Sequence, residues 1–574
     1  MKTRTISLLL LILSTFVFSQ NQLLIPGTIT STDINLTLQT GVHEFFAGES
    51  TATMGVNGNI LGPTLVLNQG ENVNINVTNN LGEETTIHWH GLHVSAENDG
   101  GPHTIIDPGT TWNPQFTVLD RAATYWYHPH LLDVTDEHAS KGIAGFIIVK
   151  DADEASIDLP RTYGIDDIPL AVQTKDFDTN FQIVNHANND DTVMVNATVD
   201  PETDVPAQVV RLRLLNGSSQ RVFNFGFSGN ITFYQIATDG GLKSEPLALT
   251  RLPLSPGERS EILIDLSGLN GQTIQLMSYA SEFSNGIYGA TNPGMGQGMV
   301  LDNYNPNPLN GNNFNILQLN VVEQTADPVT TIPLNLVTVN PYLESNSDQA
   351  RTFTMQPDSP GPSQLNGTFN INGASMDMSI INVTVPLNNT EVWTVQNNSG
   401  ISHPFHVHDV QYYILDINGN PPPAYAQGWK DTFLVPAGAG TMRFITKFED
   451  FADDTVPYMY HCHMLTHEDS GMMGQFVVVD LLNVDDFDIE NEVLLYPNPS
   501  KGVYMTMHLK DPSKEIFSYA IINELGQIVS YHKIHSNEIS NKYSFPIYEL
   551  ANGNYFIKIY TDDKIINKKF IKNN

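Results

Sequence analysis

His461-Cys462-His463-Met464-Leu465-Thr466-His467-Glu468-Asp469-Ser470-Gly471-Met472 gathers thiolate, imidazole and thioether donors in one short stretch. In an extended strand, successive side chains point to opposite faces. Cys462 therefore projects to one face and His461 and His463 to the other, so one tripeptide can belong to two metal sites. Cys462, His467 and Met472 offer a thiolate, an imidazole and a thioether, and His403 upstream can add a second imidazole. Two histidines, one cysteine and a distant, weak methionine form the ligand set of a blue-copper electron-transfer site. Cys462 is the only cysteine, so no intramolecular disulfide is possible. In an oxidising compartment a lone thiol is a liability unless something such as a metal occupies it. An inert buried thiol is the bland alternative, but it leaves the flanking metal-binding side chains unexplained.

Four His-X-His pairs recur along the chain: His88 and His90, His128 and His130, His406 and His408, His461 and His463. On a strand each pair presents two imidazoles on one face. Two pairs fall early and two late, so an eight-histidine site is complete only at an interface between a first and a third domain. Imidazole suits copper, zinc, iron and nickel. Eight imidazoles exceed what a four-ligand structural zinc site uses and point to a redox metal cluster.

Outward from these motifs the pattern is β throughout. Val73-Asn74-Ile75-Asn76-Val77 alternates apolar and polar residues, as half-buried strands do. Gly, Asn, Asp and Pro clusters interrupt such runs at short intervals, which predicts β-sandwiches of many short strands. At 574 residues the chain has room for several domains. We read sandwiches over 21–150, 165–322 and 333–485, the middle one without copper ligands, and a further module over 494–574. The last module holds ten lysines against seven acids, whereas the rest holds 17 basic and 55 acidic residues. That change of sign marks a separate unit. Residues 1–20 read as a secretory signal peptide: Lys2 and Arg4 precede an apolar run too short to span a membrane comfortably. No later segment is apolar enough for a span. The net charge of −35 disfavours nucleic acid and anionic membranes as partners.

His88-Trp89-His90-Gly91, Tyr127-His128-Pro129-His130, His403-Pro404-Phe405-His406-Val407-His408 and the Cys462 stretch together resemble the multicopper oxidases, the family of laccases and the bacterial copper-efflux oxidase. Gly62-Pro63-Thr64-Leu65 and Thr238-Asp239-Gly240-Gly241 extend the resemblance outside the ligands. It implies an all-β fold of three consecutive cupredoxin-like Greek-key sandwiches and four copper ions, one type 1, one type 2 and two type 3. By position, His403, Cys462 and His467 match the type 1 ligands, with Met472 axial. His88 and His406 match type 2, and His90, His128, His130, His408, His461 and His463 match the type 3 pair. Asp99 and Glu468 occupy positions where the copper-efflux oxidase has acids that feed protons to the cluster. Asp409 departs from the Gly common in relatives, and His138 from a common Gln. The tail resembles a type IX secretion sorting domain through Tyr496-Pro497-Asn498-Pro499, Asn523-Glu524-Leu525-Gly526 and 550–555.

The expected activity is laccase-like: one-electron oxidation of a phenol, an aromatic amine or a metal ion, coupled to reduction of dioxygen to water. A cuprous oxidase is one alternative. Against it, Met295, Met299, Met355, Met376 and Met378 are scattered rather than gathered in a long insert, and Ser399 stands near the place of an acidic cuprous-ion ligand. A non-catalytic copper-binding or scaffold protein on the same fold is an alternative of another class. Electrons are expected to enter where an imidazole edge of His403 or His467 approaches the surface. Export by the signal peptide and the type IX machinery places the expected protein outside the cell or on its surface.

Overall fold

The computed structural model describes residues 21–480, except 297, 306 and 360–364, and residues 493–573, except 511–514, 524–526, 535–539 and 562–564. The expected export signal over 1–20 lies outside the described residues, as do three residues of the Asn523 motif. The alternation read from sequence becomes strand Asn72–Asn80, in which Val73, Ile75 and Val77 are buried while Asn74 is exposed. It lies in a sheet ordered Glu49–Val56, Asp33–Phe46, Asn72–Asn80, Thr111–Trp112. The facing sheet runs Thr28–Ile29, Thr64–Asn68, Gly145–Lys150, Ala123–His128, His88–His90. Trp89, Tyr125 and Tyr127 fill the core between them.

The third sandwich repeats the plan. One of its sheets runs Val383–Pro386, Met473–Val479, Asp453–Cys462, His403–Val407, Thr432–Val435. Its core is built around Trp393, Phe405, Phe444 and Phe476. The middle sandwich has its own core of Val, Leu, Ile and Phe residues. Tyr288 and Tyr304 of the middle sandwich's long 283–312 excursion are buried in the core of the third. The tail forms two further small sheets around a separate core that includes Phe545 and Phe570. Among the described residues the α-helices are short: Ala96–Asp99, Thr135–Lys141, Ala152–Ala155 and Leu465–Asp469. None is long and apolar enough to cross a membrane.

A buried ionic seam fastens the first sandwich to the second. Glu261 accepts from Arg211 Nε at 3.0 Å, Arg213 Nη1 at 2.7 Å and Thr124 Oγ1 at 2.7 Å. Arg211 also donates to Glu154 at 2.8 Å. Burial alone would raise the Glu261 carboxyl, but Arg211 and Arg213 outweigh it and hold it at about 2, below its ordinary 4.5. Its stabilising contribution is therefore complete above the unfolded value and is lost as pH falls toward 2. Replacing Glu261 by Ala removes the carboxylate that two buried guanidinium groups share, leaving Arg211 on Glu154 and Arg213 on Asp167. The expected cost in chemical denaturation at neutral pH is about 1.5–3 kcal/mol. The gap between variant and parent should narrow as pH is lowered from about 5 toward 3.

Candidate metal centre

The edge strand His88–His90 pairs antiparallel with Ala123–His128, which sets His88 directly opposite His128. In the third sandwich the same arrangement sets His406 opposite His461. The two edges face each other, and all eight imidazoles of the His-X-His pairs are buried between them. His88 stacks on His408 and His90 on His406, each with ring centroids 3.9 Å apart.

Nitrogen contacts divide the eight imidazoles three, three and two. His130 Nε2, His408 Nε2 and His461 Nε2 lie within 3.1–3.3 Å of one another. His90 Nδ1 lies 3.4 Å from His128 Nε2 and 3.2 Å from His463 Nε2. His88 Nε2 and His406 Nε2 are buried with no hydrogen-bond partner. Most of the opposite ring nitrogens have a polar neighbour, His463 Nδ1 being buried without one. His88 Nδ1 is 2.9 Å from the Asp99 carbonyl and His408 Nδ1 is 2.8 Å from Asp99 Oδ2. His130 Nδ1 and His461 Nδ1 lie 3.3 and 3.1 Å from the two oxygens of Glu468. His128 Nδ1 faces the Pro129 carbonyl at 2.8 Å. Burial lowers the pKa of His90, His128, His130, His406 and His463 well below the usual range, and neighbouring imidazoles add to it. Burial and then His88 bring His408 to about 4. These rings are thus neutral and keep a lone pair for a metal. Burial would raise both carboxyls, but His88 and His408 hold Asp99 below the ordinary carboxylate range. His130 and His461 likewise hold Glu468 at about 2.

On the other face, Cys462 Sγ lies 3.5 Å from His403 Nδ1 and 3.7 Å from His467 Nδ1, and those two nitrogens are 3.2 Å apart. His467 sits on the short helix Leu465–Asp469, which follows closely after Cys462. Met472 is buried, and its carbonyl accepts the Cys462 N–H at 3.1 Å. Burial pushes the Cys462 thiol well above its ordinary value, so the thiolate needs a cation beside it. Burial also brings His467 down to about 3. Of the two imidazoles left open for electron entry, His403 is fully buried and its Nε2 is 2.8 Å from Ser399 Oγ. His467 is the partly exposed one.

The donor chemistry fits copper: orphaned buried imidazole nitrogens on one face, and a buried thiol facing two neutral imidazoles on the other. Asp409 adopts a left-handed backbone, φ 68°, which explains why Gly suits that position and why the short polar Asp is tolerated there. Its carboxylate lies 2.7 Å from His93 Nδ1. His138 is buried with Nδ1 3.0 Å from Thr85 Oγ1, away from the metal-facing nitrogens. Sequence reasoning passed over Asp431, whose Oδ1 is 3.1 Å from His90 Nε2 and whose carbonyl is 2.9 Å from His406 Nδ1. Nothing in an acid-rich sequence singled it out.

The fold and both donor sets are those of a copper-binding protein. Models described as "Multicopper oxidase" match residues 37–154 and 340–481. The Staphylococcus haemolyticus multicopper oxidase mco is 32% identical over 477 residues, covering 80% of this chain and 93% of the relative. The chain belongs to the multicopper oxidase family. A second relative is the cell division protein FtsP of Xenorhabdus nematophila, 30% identical over 454 residues, 77% of this chain and 88% of FtsP. Among solved structures, the laccase-like multicopper oxidase CueO of Ochrobactrum sp. is 33% identical with a TM-score of 0.69. It covers 80% of this chain and 100% of its own, and is described as having oxidase activity towards lignin model compounds and lignosulfonate. Residues 494–573 match a secretion system C-terminal sorting domain, which implies type IX sorting to the exterior or the cell surface.

A ligand bound only by the native state stabilises it by mass action. Stripping copper with a chelator should therefore lower Tm, and restoring copper should recover it in scanning calorimetry.

Proposed function

We propose that the chain is a laccase-like multicopper oxidase that couples four one-electron oxidations of a phenol, an aromatic amine or a metal ion to the reduction of dioxygen to water. In this reading His403, Cys462 and His467 would hold the type 1 copper, with Met472 as the further, weak thioether donor. His88 and His406 hold the type 2 copper. The type 3 pair is held by His90, His128 and His463 on one side and His130, His408 and His461 on the other. Copper supplies one-electron redox chemistry at the first site and dioxygen reduction at the second. The carrying observation is that Cys462 is joined in the chain to His461 and His463, one in each imidazole triad.

The other roles fall to the protein's own groups. The partly exposed edge of His467 receives the reductant, while Ser399 closes off His403. Asp99 and Glu468 each touch two pocket imidazoles and are placed to hold and move the protons that water formation consumes. The activity described for the Ochrobactrum relative supports a phenolic substrate. Cuprous oxidation is less well supported, because Ser399 is buried and neutral where an acidic cuprous ligand was sought. The FtsP relatives are named for cell division rather than oxidation; the complete donor sets here weigh against a purely structural role for this chain.

Oxygen uptake by the copper-loaded protein, with a phenol and with cuprous ion in parallel, tests the proposal. Uptake should occur with a higher kcat/KM for the phenol; no uptake with either donor favours the scaffold reading. Cys462→Ser should lose the intense blue absorption and the oxygen uptake together. Asp99→Asn, assayed at full copper occupancy, should lower kcat by ~10²–10⁴.

A further inference from the structure

His90 is turned the opposite way from its neighbours in the pocket. His128, His130, His408, His461 and His463 meet their triad partners through Nε2, and His88 and His406 leave Nε2 free. His90 meets its partners through Nδ1, because its Nε2 faces Asp431 Oδ1 at 3.1 Å. Asp431 is held in turn by a residue of the middle sandwich, which contributes no imidazole. Arg259 Nη1 donates to Asp431 Oδ1 at 2.7 Å, and Arg259 Nη2 donates to Oδ2 at 2.6 Å. Both side chains are fully buried. Arg259 Nε also donates to the Thr124 carbonyl of the first sandwich at 3.1 Å, so this one guanidinium touches all three sandwiches.

Two glycines make room for the arrangement. Gly91, directly after His90, has φ +89°, and a Cβ there would come 2.5 Å from Asp431 Oδ2 and 2.7 Å from Arg259 Nη2. Gly257, two residues before Arg259, has φ +84°, and a Cβ there would come 2.8 Å from the His463 ring. The 257–259 segment is thus a wall of the imidazole pocket.

We propose that Arg259 is a positioning residue for the pocket. Through Asp431 it fixes the orientation of His90 so that Nδ1 is the nitrogen presented to metal, and it steadies His406 through the Asp431 carbonyl. The middle sandwich then belongs to the metal centre without ligating it. This rests on the oxidase reading for the use of the site, but its test reads metal affinity. Groups that orient ligands through their remote nitrogen typically control affinity by about 10–100-fold.

The test is chelator competition on the full chain loaded with copper. Total copper is followed together with the blue absorption, which reports the Cys462 site and serves as an internal control for folding. Arg259→Met should weaken retention of pocket copper by about 10–100-fold and leave the blue site unchanged. Arg259→Lys, which keeps the charge, should recover much of the loss. If Arg259→Met does not fold, Asp431→Asn, close in shape, takes its place with the same selective loss expected. Unchanged pocket affinity, or parallel loss at both sites, overturns the proposal. Failure of the parent protein to consume oxygen would instead count against the oxidase reading, and the affinity comparison would still stand.

Discussion

A buried neutral imidazole has two nitrogens, and a metal pocket can use only one of them. The other must find a partner away from the pocket, because an unsatisfied buried polar atom is costly. Much of the architecture around the centre answers this need. Asp99 serves His88 and His408, Glu468 lies against His130 and His461, and Pro129 offers its carbonyl to His128. Asp431 serves His90 and His406, one from each sandwich. Acids that read in sequence as proton donors are therefore also the braces of the pocket, and the two roles need the same contact.

Much of the fold was legible because strands write their periodicity directly into sequence. Val73, Ile75 and Val77 fall inward in the structure as their alternation requires, and the same rule separates Cys462 from its two neighbours. The eight paired histidines meet between two sandwiches because neither sandwich holds enough of them alone. The resemblance had already set His88 and His406 apart, but the sorting of the other six into two triads was not legible, since it depends on which ring nitrogen each turns inward. Nor was the choice between His403 and His467 as the exposed edge, which turns on the burial of a loop around Ser399. Asp431 and Arg259 stand 172 positions apart, and no local pattern links a carboxylate to a guanidinium at that distance.

The two faces of the Cys462 tripeptide differ in their access to solvent. On the sulfur side, a partly exposed imidazole lies next to the thiol, so a bulky donor need not enter the protein to come close to the site. On the imidazole side every ring is enclosed. A single backbone step thus separates a face open to varied donors from one that excludes them.

The chain also distributes its donors unequally among its units, and this bears on maturation. His403, Cys462, His467 and Met472 all come from one sandwich, whose core is completed by Tyr288 and Tyr304 of the middle one. The imidazole pocket also draws histidines from the first sandwich, so its donors come together only where the first and third sandwiches meet. Maturation of the two donor sets thus rests on different contacts: one lies within a single unit, the other exists only where separate units of one polypeptide close on each other.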